Sequence, residues 1–328
     1  MELVSGSPGA LLGYEAAVCG GIPIIHNMQH SYVGDEVTSV MGIMNGTTNF
    51  MLTKMELEGA GYAGVLKEAQ DLGYAEADPT ADVEGHDVRA KIALLAKLTF
   101  GQHVPLEGIP CTGISKLTGT DFTCAKMMGC TIKLVGTAAV SGENRSNLAV
   151  YVSPVVVPLG GALASARGPG NIVVVTSKNL TKSVYTGPGA GRYPTANSVV
   201  NDMVRIAQGL CGRPFPVARE LSVAPDFSTR FYVRVTATDG LGILGSFGAL
   251  AHGQGISIHS VLRADGAGGP GEGEGEGGTR EGAVGWVGGA TDFVVMTDEC
   301  KRSQVTALCS ELAKQPWARG EPVCMSLL

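Results

Sequence analysis

The strongest periodicity runs from Glu84 to Phe100, where Val88, Ile92, Leu95 and Leu98 or Thr99 recur at helical spacing and Gly101 closes the run. A second helix is predicted over Val65 to Leu72, with Leu66, Ala69 and Leu72 on one face and Gly73 as its stop. Phe50, Met51, Met55 and Leu57 mark a shorter helix that breaks at Gly59-Ala60-Gly61. Residues 121–128 form a short helix and Thr195 to Leu210 a longer one. His26 and His30 stand one helical turn apart, but Pro23 and the apolar residues around it leave a helix there open. Apolar, β-rich runs place strands at Glu36 to Met44, Thr131 to Val140, Leu148 to Val157 and Asn171 to Thr176. Asn45-Gly46-Thr47-Thr48 reads as a tight turn with a threonine as helix N-cap, or equally as a substrate-binding loop. This order suits an α+β fold with a mixed or antiparallel sheet, not a β-α-β repeat.

Residues 213–228, with Pro214, Pro216 and Pro225, read as a linker. Beyond them Phe231–Thr236, Ile256–Val261 and Thr291–Met296 alternate as strands, and Ile243–His252 and Ser303–Leu312 as helices. That βαββαβ-like order predicts a small ferredoxin-like domain over 229–328. Residues 266–289 carry a Gly-Glu repeat that cannot bury a core and read as a flexible acidic insertion.

Glycine makes up 48 of 328 residues, an excess that belongs in loops and in that repeat. The net charge of −6 argues against a nucleic-acid surface, which shows clustered basic residues. No apolar run approaches the roughly 20 residues of a membrane span, and no secretory signal opens the chain. The eight cysteines form no Cys-x-x-Cys pair, so buried thiols in a reducing compartment outweigh a zinc site.

Candidate chemistry gathers around the long helix. Asp87 and Lys91 are four apart and share a face. Glu76, Asp78, Asp82 and Glu84 crowd the stretch before it. An isolated pair of this spacing is usually a solvated ion pair. A lysine beside several carboxylates can also bind an amino acid through the acids and protonate an oxyanion. Gly187-Pro188-Gly189-Ala190-Gly191 before a helix could admit a cofactor phosphate or be a plain turn, since it does not match G-x-G-x-x-G. Glu15 near Gly20 and Gly21 could join backbone carbonyls around a hard cation or be structural.

Taken together, four ordered motifs resemble homoserine dehydrogenases. They are Tyr14-Glu15-Ala16-Ala17-Val18 with Gly20-Gly21-Ile22-Pro23, Gly42-Ile43-Met44-Asn45-Gly46-Thr47-Thr48-Asn49-Phe50, Leu72 to Asp87 with Lys91, and the glycine loop with Pro194-Thr195-Ala196. The resemblance covers roughly residues 8–212, and residues 230–328 more loosely resemble an ACT domain. It implies a catalytic and dimerisation domain with a mixed sheet over 14–212 and an ACT-like regulatory domain over 229–328. Lys91 matches the proton donor to the substrate oxygen, and Glu76, Asp82 and Asp87 match substrate-binding acids. Gly73 and Gly191 match positions that approach an NAD or NADP cofactor. Glu15 with the carbonyls of Val18, Gly20 and Ile22 matches a monovalent-cation site, sodium being the expected ion.

The implied reaction is the NAD(P)-dependent interconversion of L-aspartate 4-semialdehyde and L-homoserine, in threonine and methionine biosynthesis. A homodimer and an amino-acid effector such as threonine at the ACT-like domain are further expectations. The family's nucleotide-binding domain and its Thr-Ala-Asn-Lys-like segment do not appear before Tyr14, so residues 1–13 read as a remnant of that domain. A fragment with impaired cofactor binding is expected, the alternative being a non-catalytic amino-acid-binding regulatory or dimerisation module. The expected compartment is cytoplasmic, or a plastid if a transit sequence precedes Met1.

Overall fold

The computed structural model of the chain describes residues 10–141, 146–210, 221–224, 226–238, 241–263 and 290–328. They divide into two compact units: Met1–Leu117 with Gly129–Phe227, and Thr118–Met128 with Ser228–Leu328. Most of the expected N-terminal remnant, most of the linker and the glycine-rich insertion lie outside the described residues.

The first unit runs α1 (Ile24–His30), β1 (Val37–Ile43), α2 (Gly46–Glu58), α3 (Tyr62–Asp71), α4 (Thr80–Val83) and α5 (His86–Phe100). After α6 (Gly119–Met127), which belongs to the second unit, come β2 (Cys130–Ser141), β3 (Asn147–Pro158), β4 (Gly170–Ser177), β5 (Thr181–Pro188), α7 (Arg192–Ala207) and the two-residue β6 (Ser222–Val223). The five long strands lie in the order β5-β4-β1-β2-β3, every neighbouring pair antiparallel. Parallel pairing of β6 with β3 makes the sheet mixed. Phe227, beyond β6, stacks on Tyr151 of β3 at 3.8 Å.

Successive strand residues face opposite sides of the sheet, which sorts the packing. Gly136 of β2 turns to α5, where a Cβ would lie only 2.9 Å from Val88 Cγ1 and 3.2 Å from Ile92 Cβ. Glycine at this point lets the helix sit close enough to bury Val88, Ile92 and Leu95 completely. Each such side chain contributes about 1.5–3 kcal/mol by leaving water. Val135 instead packs with Ile43, Val155, Val157, Leu163, Ile172 and Val174 in a second apolar cluster.

Three local expectations change. The N-cap of α2 is Asn45, whose Oδ1 accepts Thr48 N–H at 2.9 Å, and no threonine serves that role. Residues 24–30 are helical despite Pro23, which occupies the N-cap where its missing N–H costs nothing. The strand β5 was not expected, because its residues alternate between half-buried and exposed and its apolar content is low.

The second unit contains α6, β7 (Ser228–Thr238), α8 (Ile243–Gly253), β8 (Ile258–Arg263), β9 (Ala290–Thr297), β10 (Cys300–Lys301), α9 (Arg302–Ala313) and β11 (Val323–Leu327). Its main strands lie in the order β11-β7-β9-β8, all antiparallel, with β10 pairing with β7. Apart from β10, strands and helices follow one another as βαββαβ from β7 to β11. Phe247 of α8 meets Phe293 of β9 edge-on at 6.0 Å. The helix α6 is tied in through fully buried Asp121, whose Oδ1 accepts Tyr232 O–H and Arg234 Nε–H, each at 2.8 Å. Its Oδ2 accepts Thr118 N–H at 2.8 Å, so one carboxylate caps its own helix and neutralises a buried guanidinium.

Among the described residues no helix is long and apolar enough to cross a membrane, no cluster of His, Cys, Asp and Glu could hold a metal, and seven cysteines are unbridged.

Candidate active site

The carboxylate and lysine candidates converge where β1 hands over to α2. Asn45, two residues beyond the strand, is extended and caps the helix with Oδ1, which leaves its amide nitrogen pointing at acids. Nδ2 donates to Asp82 Oδ1 at 2.7 Å and to Asp87 Oδ2 at 2.9 Å. Gly85, at φ +80° between α4 and α5, makes the sharp turn that lets both acids face one asparagine. One helical turn beyond Asp87, Lys91 Nζ donates to Asp87 Oδ2 at 2.7 Å and to the Met44 carbonyl at 2.9 Å. An ammonium has three N–H groups, and two of Lys91's are engaged. The side chains of Lys91 and Asp87 are 19% and 31% exposed, so a ligand can reach them.

These residues line one side of a cleft of about 1030 Å³. Facing residues come from Ser165–Arg167, Pro169-Gly170 and Thr186–Gly191, and Gly73 and Tyr74 also line it. Glycine at 189 in the loop, and at Gly20 against it, has a packing reason. A Cβ on Gly189 would lie 2.1 Å from Asn171 Nδ2, and one on Gly20 2.6 Å from the Gly189 carbonyl. Asn171 is buried beneath the loop with no oxygen or nitrogen partner for its carboxamide; its neighbour is the Cys19 thiol, which burial pushes up to about 11. Gly73 and Gly191, the two expected cofactor positions, both line the cleft and both have positive φ, +74° and +117°.

Glu15 is placed elsewhere in the same unit. Its carboxylate accepts Ile25 N–H at 2.9 Å and His26 N–H at 2.8 Å, capping α1 in place of Pro23, which has no side-chain acceptor. Burial raises its pKa, and these two backbone N–H bonds oppose the rise. The carbonyls of the neighbouring turn are also in use: Gly20 O accepts Ser198 Oγ–H at 2.7 Å and Ile22 O accepts Ile24 N–H at 2.7 Å. Val18 and Ile22 are buried beside them, and Cys19 and Gly20 take positive φ. Each of these oxygens keeps a second lone pair.

Of the acids expected to bind substrate, Asp82 and Asp87 meet at Asn45, whereas Glu76 is exposed and outside the cleft lining. The sequence left the Asn45 turn open to a substrate-binding role, whereas it did not single out the 165–170 wall or the Lys133–Asn49 support beneath it. Asn45 bridges the two acids. The segment 165–170 forms the facing wall. Lys133 and Asn49 hold that wall from below: Lys133 Nζ donates to Asn49 Oδ1 at 3.0 Å and to the Ala166 carbonyl at 2.8 Å. A lysine between Ile132 and Leu134 in an apolar strand was the signal available.

Comparison with known proteins bears on the family and the fold. The homoserine dehydrogenase family model matches residues 23–204. A homoserine dehydrogenase of Bacillus subtilis is 38% identical over 262 residues, 78% of this chain and 60% of that protein. One of Synechocystis is 34% identical over 333 residues, 98% of this chain and 72% of that protein. The crystal structure of a homoserine dehydrogenase from Thiobacillus denitrificans has a TM-score of 0.81 at 29% identity, over 96% of this chain and 69% of that one. A hyperthermophilic archaeal homoserine dehydrogenase in complex with NADPH has a TM-score of 0.50 at 26% identity, over 63% of this chain and 57% of that one. The chain thus spans about three fifths of the length of the Bacillus relative.

Proposed function

The chain belongs to the homoserine dehydrogenase family, and from that premise we propose that its cleft carries the interconversion of L-aspartate 4-semialdehyde and L-homoserine. The observation that supports this best is the Lys91 ammonium, held by Asp87 and the Met44 carbonyl in the lining of a cleft with two acids on one asparagine. Asp82 and Asp87 attract the substrate's ammonium group. Glu76, on the exposed segment that follows Tyr74, is a third acid able to swing toward it. A nicotinamide cofactor, NAD or NADP, supplies hydride to the aldehyde carbon when bound. Lys91 then delivers a proton to the carbonyl oxygen, which becomes the alcohol of homoserine; in the reverse direction it receives that proton. Before transfer the ammonium stabilises the developing negative charge on oxygen. Gly73 and the three glycines of the Gly187–Gly191 loop present backbone without side chains, a surface that fits close approach of the cofactor.

Glu15 with the carbonyls of Val18, Gly20 and Ile22 is the proposed sodium site, where the ion would add to the partial compensation that Arg205 gives this buried carboxylate. In the second unit we propose an ACT-like regulatory role. Its support is a cavity of about 280 Å³ at the start of α8, lined by Ala237, Gly242, Ile243, Thr291 and Phe293 among others. That size suits a small amino acid such as threonine.

The test is L-homoserine oxidation by the purified chain with NAD⁺ and with NADP⁺, beside L-homoserine binding by calorimetry. Turnover or binding in the wild type that is lost in Lys91→Ala and Asp87→Asn is the expected result. A folded wild type that neither binds nor oxidises L-homoserine overturns the proposal.

A further inference from the structure

Lys133 is a fully buried lysine in the middle of β2 with no carboxylate in ion-pair distance among the described residues. Its two partners are neutral. The Asn49 carboxamide in turn donates to the Ala166 carbonyl at 3.3 Å and to the Gly170 carbonyl at 3.0 Å. Thr53, one turn along α2, accepts Gly168 N–H at 3.3 Å and donates to the Asn49 carbonyl at 2.7 Å. The Ala166 and Gly170 carbonyls and the Gly168 N–H therefore find partners in side chains of α2 and β2, because between Ala166 and Pro169 the backbone forms neither helix nor strand. This same segment is the cleft wall. It also leans on the turn that carries Asn45: a Cβ on Gly46 would lie 2.9 Å from the Pro169 carbonyl.

A buried cation is costly unless it is paired or hydrogen-bonded. An ammonium is a donor only, so it forces Asn49 to present Oδ1 to it and Nδ2 to the two wall carbonyls. We propose that Lys133 is a positioning residue for the substrate cleft, clamping the 166–170 wall through Asn49 and thereby setting its distance from the Asn45 turn. This rests on the reading of the cleft as the homoserine site. Neutral Lys133 can accept as well as donate, so deprotonation releases the constraint on Asn49. Burial and nearby Arg167 lower its pKa to about 8, with Glu56, itself paired with Arg167, opposing. These two are the charged groups that act on it.

Two measurements on the full chain test this. Hydrogen exchange, corrected for intrinsic rates, follows peptides covering 163–170 and 45–50 from pH 6.5 to 9.5 in wild type and Lys133→Met. Calorimetry follows L-homoserine affinity over the same range. In wild type, protection of the wall should fall roughly fivefold with a midpoint near pH 8, the change from charged to neutral hydrogen bonds, and affinity should fall with the same midpoint. Lys133→Met should lack protection at every pH and bind about tenfold more weakly with no inflection. Wall protection and affinity that match wild type in the variant overturn the proposal, as does a wild-type profile with no inflection in either measurement. Should the variant fail to fold, the wild-type titration decides. Absence of homoserine binding in wild type removes the functional reading, and the exchange data still decide whether the clamp exists.

Discussion

Asn45 joins helix capping to site assembly, and two substitutions separate those roles. Asn45→Ala removes an N-cap, a loss of about 1 kcal/mol. It also removes two hydrogen bonds to carboxylates, each worth about 1.5 kcal/mol at the low end of the charged range, which suits acids that water can partly reach. A combined loss of roughly 3–4 kcal/mol follows, or about 6–15 °C in melting temperature for a unit of this size. Asn45→Asp keeps the capping oxygen but puts a third carboxylate where Nδ2 stood, within hydrogen-bond distance of both Asp82 and Asp87. One of the three acids must then hold a proton, with its pKa raised above the unfolded value of about 4. The variant should be destabilised at pH 7 and recover as pH falls toward 5, because the folded state then takes up the proton first. Urea unfolding at pH 7 and pH 5, with homoserine binding at both, measures this. If Asn45→Asp is as stable as wild type at pH 7, or Asn45→Ala loses only the cap increment, the bridging role of Nδ2 is refuted.

Further outcomes are open to the same methods. Gly189→Ala should lose about 1–3 kcal/mol through overpacking against Asn171 and weaken binding in the cleft, and adding Asn171→Ala should restore part of the stability. Arg234→Met leaves Asp121 buried with Tyr232 and Thr118 alone, and chemical denaturation should show a loss of about 3–5 kcal/mol in the second unit; pairing it with Asp121→Asn should recover much of that. Lys133 titrates near 8 in the fold against 10.5 for a solvated lysine. Below pH 8 both states hold the proton and the fold carries its desolvation cost; between pH 8 and 10.5 only the unfolded chain keeps it. Stability of wild type relative to Lys133→Met should therefore rise by about 3 kcal/mol across that window, and equal pH slopes in the two proteins would contradict the burial of a charged amine.

Local pattern was enough for α5, because Val88, Ile92, Leu95 and Leu98 repeat at the helical period and are all buried. It was enough for the βαββαβ order of the second unit and for the neighbourhood of Asp87 and Lys91, which lie one turn apart on a single helix. The family motifs supplied Asp82, Gly73 and Gly191 as members of one site. What no local signal carried was the meeting of segments far apart in the chain. Asn45 holds Asp82 and Asp87 across 37 and 42 residues, and Lys133 reaches Asn49 across 84. Pro23 argued against α1, yet Glu15, nine residues before that helix, supplies the capping acceptor the local sequence lacks. Spacing along a helix or strand is local, so periodicity reports it. A hydrogen bond between distant segments depends on which strands become neighbours, and that is decided by burial of the whole apolar surface at once.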